Sequence, residues 1–262
     1  MGNEMIRLVV SSLENIIELD DKRQVGEDIL DLIVRLKEKD IKFAVATAQN
    51  YDSVKDIFGR LKNDIVYICN DGGVVIYQDK VISKTPIDRL VCLGVTDELG
   101  EDRSYKLVLS GERNAVLLKS NATFERRLKK KGIIPEYVNS TQEMSGDITK
   151  ITIVKDKGFT EAEYSHYIEK WGNRAHISAT DETHAFVTGQ YVTKGMALAV
   201  VQHLFDISEE DTVVFGAGFS DIEMFDRSYF SYAMMDSASQ VRDSAQHIAE
   251  SVNMIVEDIL RM

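Results

Sequence analysis

Two blocks of alternating strand and helix patterns, interrupted by a long stretch of different texture, constrain this chain more than any other feature. RLVV opens as a short apolar strand. VGEDILDLIVRLKEKD (25 to 40) then sets Ile29, Ile33 and Leu36 on one helical face. IKFAVATA (41 to 48) is a nearly continuous apolar run of strand length. YDSVKDIFGRL (51 to 61) returns to helical spacing, and DIVYICNDGG (64 to 73) is a third strand running into a glycine turn. Strand, helix, strand, helix, strand in this order predicts a parallel sheet with right-handed crossovers.

From about residue 82 the strands become shorter and polar at alternate positions: YKLVLSGE, AVLLKS, ITKITIVKD and HAFVTGQYV. The helices ATFERRLKKKG and TEAEYSHYIEKWG lie between them. That pattern suits an antiparallel sheet with helices on one face. The first pattern resumes near 190 with the helix KGMALAVVQHLF (194 to 205), the strand DTVVFGAG (211 to 218), a short helix SDIEMFDRS and the strand FSYAMMD (230 to 236). ASQVRDSAQHIAES and a last short helix complete the chain. The expected organisation is a doubly wound α/β domain over 1–81 and 189–262, split by an α+β domain over 82–188.

Composition narrows the partners. A net charge of -12 opposes extended contact with phosphate backbones, so no nucleic-acid partner is expected. The one basic run, RRLKKKG at 126 to 132, reads as a helix end capped by glycine. No run of about 18 apolar residues is present, and MGNEMIRLVV lacks the basic and apolar segments of a signal peptide. Ile6 does not fit a myristoylation motif. No membrane partner is expected, and the location read from this is cytoplasmic. Cys69 and Cys92 form no metal or disulfide spacing, and His166, His176, His184, His203 and His247 no metal-ligand spacing.

Four short segments carry the chemistry. The first strand runs into Ser11-Ser12-Leu13-Glu14-Asn15-Ile16, the second into Thr47-Ala48-Gln49, and the third into Asn70-Asp71-Gly72-Gly73. Thr193-Lys194-Gly195 opens a helix, and Gly216-Ala217-Gly218-Phe219-Ser220-Asp221 follows a later strand. In order and setting these resemble the motifs of the haloacid dehalogenase superfamily, specifically its Cof-type phosphatases. Those enzymes insert a large α/β cap into a Rossmann-like core. The resemblance covers essentially the whole chain. It implies Mg2+-dependent hydrolysis of small phosphorylated metabolites, through an aspartyl-phosphate and a second acidic residue. A cap of this kind closes over the pocket and selects the substrate.

Laid residue by residue on that pattern, Ser12 stands at the nucleophile and Glu14 at the acid/base position. Thr47, Lys194 and Asn70 stand at phosphate-binding positions, Asp221 at a metal position, and Ala217 where the principal Mg2+ ligand belongs. The departures fall on the groups that form the covalent bond or hold metal, while Gly195, Gly216, Asp221 and Met224 persist. A serine hydroxyl is a weak nucleophile without an adjacent base. The expectation is therefore a homologue that binds a phosphorylated small molecule with little or no turnover. Two other readings stand beside it: a sugar-phosphate hydrolase working through Glu14 and Asp221, and a structural or protein-interaction module. Alone, each retained residue has a plainer role. Thr47 could end a strand, Lys194 could be solvated at a helix start, and Asp221 could cap a helix.

Overall fold

The computed structural model describes residues 6–118, 121–140, 143 and 146–261. The chain forms two compact units. Met1–Ala48, Lys55–Ser83 and Thr193–Met262 make the first, and Gln49–Val54 with Lys84–Val192 make the second.

The first unit begins with the strands β1 (Leu8–Ser12), β2 (Lys42–Ala46), β3 (Ile65–Cys69), β4 (Val74–Tyr77) and β5 (Lys80–Lys84). The second unit contributes β6 (Tyr105–Ser110), β7 (Ala115–Leu117), β8 (Glu136–Tyr137), β9 (Lys150–Lys155), β10 (Ala175–Asp181) and β11 (His184–Gly189). The chain then returns to the first sheet as β12 (Thr212–Gly216), β13 (Phe230–Met234) and β14 (His247–Ala249). The helices, in chain order, are α1 (Glu27–Glu38), α2 (Tyr51–Val54), α3 (Arg89–Leu99), α4 (Ala122–Lys130), α5 (Glu161–Trp171), α6 (Lys194–Phe205), α7 (Ile222–Phe225), α8 (Ser239–Ser244) and α9 (Val252–Arg261).

The first sheet runs β14-β13-β12-β1-β2-β3-β4-β5. β1 is parallel to β2 on one side and to β12 on the other, with Ser12 opposite Ala46 and Ser11 opposite Phe215. Both neighbours run in its direction, so the loops after β1, β2, β3 and β12 emerge at one end of the sheet. Crossovers leave β1 towards both sides, and that reversal makes a crevice at the strands' carboxyl ends. Leu8, Val10, Ala44, Val66, Ile68 and Val214 fill the core beneath it, packed on Leu198, Val201 and Phe225 of the helices.

Three segments differ from the sequence reading. Residues 51 to 61 do not form one helix. Only α2 and a 3-10 turn at Gly59–Leu61 are helical, because Gly59 takes φ +52° and Ile57 gives its carbonyl to the Val25 N–H. Val74 to Lys84 adds β4 and β5, with β4 antiparallel to β3. The segment ASQVRDSAQHIAES holds, besides α8, the edge strand β14, whose three residues are too few for a visible alternation.

The second unit's sheet has the order β10-β11-β9-β6-β7-β8. One face carries Leu107, Leu109, Ile151, Ile153, Ala185 and Val187 against α3 and α5. Helix α5 starts in a reciprocal capping box. Thr160 Oγ1 accepts from the Glu163 N–H, and Glu163 Oε2 accepts from the Thr160 N–H. Glu163 Oε1 also accepts from Lys155 Nζ at 2.5 Å and from the Tyr105 hydroxyl at 2.8 Å. The Lys155 contact first, then the Thr160 N–H and the Tyr105 hydroxyl, draw the Glu163 pKa down to about 2.

A carboxyl depressed in this way stabilises the fold above its unfolded pKa near 4.5, and the contribution fades as pH falls towards 2. Glu163→Gln should therefore flatten the loss of stability across that window, measured by urea unfolding at stepped pH. A second test concerns Gly72, which takes φ +99° and whose added Cβ would lie 2.1 Å from the Thr193 carbonyl oxygen. Gly72→Ala should cost about 3 kcal/mol or more. Gly59→Ala, at φ +52° with nothing nearer than 3.9 Å, should cost only about 1 kcal/mol in the same urea experiment.

Candidate functional site

The site lies where β1, β2, β3 and β12 end in the first unit. Ser11 and Ser12 are the last residues of β1, both buried. The Ser11 hydroxyl donates to the Ser12 carbonyl at 3.0 Å. Ser12 Oγ is buried and has no hydrogen-bond partner among the described residues. The loop then turns through Asn15, at φ 63°, and is anchored by the Leu13 N–H on the Ala46 carbonyl.

Glu14 reaches across to β2. Its Oε1 accepts from Thr47 Oγ1 at 2.5 Å and from the Ala48 N–H at 3.2 Å. Thr47 is fully buried, and its carbonyl accepts from the Asp71 N–H at 3.1 Å. Asn70 and Asp71 both adopt left-handed backbone, at φ 53° and 55°, and Gly72 follows at φ +99°. This tight turn rests on the start of α6, an approach that only glycine permits at position 72. Asn70 itself is wholly buried, and its carbonyl accepts from the Gly73 N–H.

Thr193 caps α6 by accepting from the Met196 N–H at 3.1 Å, which puts Lys194 at the first helical position. Lys194 is only 3% exposed. Its ammonium donates to Asp221 Oδ1 at 2.8 Å and lies 3.9 Å from Asp71 Oδ1. Burial alone would lower the Lys194 pKa. Asp221, Glu14 and Asp71 outweigh that and hold it above the ordinary lysine value. The other Asp221 oxygen, Oδ2, accepts from the Ala217 and Gly218 N–H groups, each at 2.9 Å. Asp221 thus ties the loop after β12 to Lys194.

The residues singled out in the sequence fall into one connected group: Glu14 on Thr47, Thr47 on Asp71, Asp71 beside Lys194, and Lys194 on Asp221. Ser12 and Asn70 lie in the same loops, and no side-chain hydrogen bond joins Ser12 to the others among the described residues. The Ala48 N–H is the donor that the sequence reading missed. Its only sequence signal is the extra methylene of Glu14 over aspartate, which lets the carboxylate span to β2.

Magnesium demands near-octahedral oxygen ligands, usually with one or two carboxylates. Position 217 offers a methyl group, Ser12 a neutral hydroxyl, and Asp221 has both oxygens engaged by Lys194 and two N–H groups. No group of three or more Asp, Glu, His or Cys side chains among the described residues is placed to hold a metal ion. The donor set does not fit Mg2+. What the geometry can do is hold one oxyanion oxygen between a hydroxyl and a backbone N–H, near a buried cation.

Removing either partner of the Lys194 and Asp221 pair leaves a charge buried alone, which costs about 3–5 kcal/mol. Lys194→Met and Asp221→Asn should each lower stability by that order. The double variant should lose clearly less than their sum, read from urea unfolding of all four proteins.

The sequence profile of the haloacid dehalogenase-like hydrolases matches residues 18–255, a span that begins just after the loop carrying Ser12 and Glu14. Among curated proteins, the chain is 23% identical over 253 residues to the Escherichia coli 5-amino-6-(5-phospho-D-ribitylamino)uracil phosphatase YbjI, covering 95% of this chain and 92% of that one. It is 25% identical over 248 residues to the HMP-PP phosphatase of Shigella flexneri, covering 93% and 89%. Among solved structures, the subclass IIB sugar phosphatase BT4131 superposes with a TM-score of 0.78 at 17% identity, covering 96% of this chain and 98% of that one. With the parallel sheet, the inserted unit and the matched span in agreement, this chain belongs to the haloacid dehalogenase-like hydrolases.

Proposed function

We propose that this protein recognises a phosphorylated small molecule without Mg2+ and without appreciable turnover. The observation that carries the reading is the grip of Thr47 Oγ1 and the Ala48 N–H on a carboxylate oxygen of Glu14. A hydroxyl and a backbone N–H that hold a carboxylate oxygen can hold a phosphate oxygen in its place. The relatives YbjI, HMP-PP phosphatase and BT4131 are named as phosphatases, and the ligand class carried over to this chain is the phosphate ester.

Turnover is a separate requirement. Attack on phosphorus needs a nucleophile, and the buried Ser12 hydroxyl must first lose its proton to a base. Glu14 is the loop's carboxylate, and its Oε1 is committed to Thr47 and Ala48. The charge that a transferring phosphoryl group develops would be met by Lys194, whose charge is already offset by Asp221. These groups can position an ester and cannot readily break it.

Glu14 also sets the affinity. Its carboxylate holds the donors a phosphate needs and adds its negative charge to those of Asp71 and Asp221 around Lys194. A ligand must displace it. Removing the carboxylate with Glu14→Ala should tighten binding of inorganic phosphate about tenfold or more, equivalent to about 1.4 kcal/mol, by calorimetry in EDTA. Wild-type protein should hydrolyse p-nitrophenyl phosphate no faster with Mg2+ than with EDTA. If neither wild type nor Glu14→Ala binds phosphate, the recognition reading fails. Mg2+-dependent turnover abolished by Asp221→Asn would identify a working hydrolase instead.

A further inference from the structure

Along β1 the side chains alternate between the two faces of the sheet. Leu8 and Val10 pack with Leu198 and Val201 of α6, whereas Ser11 faces Ile29, Leu32 and Ile33 of α1 and Val256 of α9. Ser12 therefore points to the α6 face, where Lys194 begins that helix. Its neighbours in the sheet are small. Ala46, its partner on β2, offers a methyl group. On the other side, the register that sets Ser11 against Phe215 brings Gly216, which has no side chain, alongside Ser12. The space over Gly216 belongs to Asp221 and Phe225, since a Cβ there would lie 2.7 Å from the Asp221 Cβ and from the Phe225 ring. Asp221 accepts from Lys194 at 2.8 Å. The Ser12 hydroxyl thus stands one strand away from the Lys194 and Asp221 pair, on the same face.

Ser12 is 1% exposed, and its Oγ has no hydrogen-bond partner among the described residues. A buried hydroxyl in that condition costs the fold free energy and needs a reason. An alanine between Ala46 and Gly216 would avoid the cost. Ser11 shows the ordinary solution, because its hydroxyl donates to the Ser12 carbonyl. Glu14, Asp71 and Asp221 all act on Lys194 at this end of the sheet, yet none of them accepts from Ser12. A serine hydroxyl is neutral and carries an O–H donor. Among three carboxylates, it is a group that attracts an incoming oxyanion rather than repelling it.

We propose that Ser12 is a ligand-binding residue whose O–H donates to a phosphate oxygen other than the one held by Thr47 and the Ala48 N–H. The inference rests on the phosphate-recognition reading of this site and adds to it a donor from β1. The Ser12 hydroxyl stabilises the complex and not the fold, and that separates it from a serine kept for packing.

The test titrates inorganic phosphate by calorimetry in EDTA into wild type, Ser12→Ala, Glu14→Ala and the double variant, and records each melting temperature without phosphate. Loss of the Ser12 hydroxyl should weaken phosphate binding about tenfold or more in whichever background binds it, as expected for a hydrogen bond to a charged ligand. The melting temperature of Ser12→Ala without phosphate should be unchanged or higher, because the hydroxyl removed has no partner in the fold. Equal phosphate affinity with and without that hydroxyl overturns the inference and leaves the Thr47 and Ala48 cradle standing. A melting temperature lowered by several degrees assigns the hydroxyl to the fold and overturns it as well. Absence of phosphate binding from both wild type and Glu14→Ala is a different result: the recognition reading itself then fails, and this inference with it.

Discussion

A buried ammonium sits among the loops at the carboxyl ends of the first unit's strands, and those loops are arranged to make that tolerable. Lys194 reaches Asp221, and Asp221 in turn holds the Ala217 and Gly218 N–H groups. Asp71 approaches from the turn after β3, a turn that must run through three left-handed residues to get there. An ion pair out of water is seldom a net source of stability. Its effect is positional, because every loop that carries a counter-charge must stay where the lysine needs it. The ends of β3, β12 and α6 are thereby tied to one another through side chains rather than through packing alone.

Glu14 imposes the second constraint, and it follows from one methylene. An aspartate at this position would be one carbon shorter. The longer side chain instead crosses to β2 and satisfies Thr47 and Ala48. The site then holds an internal oxyanion, and its donors are ordered with no ligand present. That ordering has two consequences of opposite sign. The donors need not be organised when a phosphate arrives, which favours binding. The incoming anion must also displace a bound carboxylate, which opposes it. Selectivity for anions richer in charge and acceptors than a carboxylate is what remains.

Much of this was legible in the sequence, for physical reasons that vary by element. Buried parallel strands are continuous apolar runs, so Leu8–Ser12, Lys42–Ala46 and Ile65–Cys69 announce themselves, as does the amphipathic α1. Residues 51 to 61 misled because helical spacing says nothing of Gly59, whose left-handed backbone breaks the helix, or of the Ile57 carbonyl engaged elsewhere. The short edge strand at His247–Ala249 escaped because three residues show no period. At the site, residue order along a known framework brought Thr47, Lys194 and Asp221 forward. Nothing in that order says which carboxylate meets which donor. The hold of Glu14 on Thr47 and the fully engaged state of Asp221 are facts of distance.

Retention of a residue carries different weight at different positions here. Gly72 persists because the Thr193 carbonyl leaves no room for a side chain, and Gly195 and Gly216 are hemmed in likewise by Glu223 and by Asp221 with Phe225. Lys194 and Asp221 persist as each other's neutralising partner, so either is costly to lose whatever the protein does. None of these five informs on function. Thr47 is different. Its hydroxyl is not needed to neutralise a charge, and a valine would fill a buried strand end at least as well. A threonine there, together with the adjacent Ala48 N–H, makes sense as a hold on an oxygen anion, and that pair is where the functional argument rests.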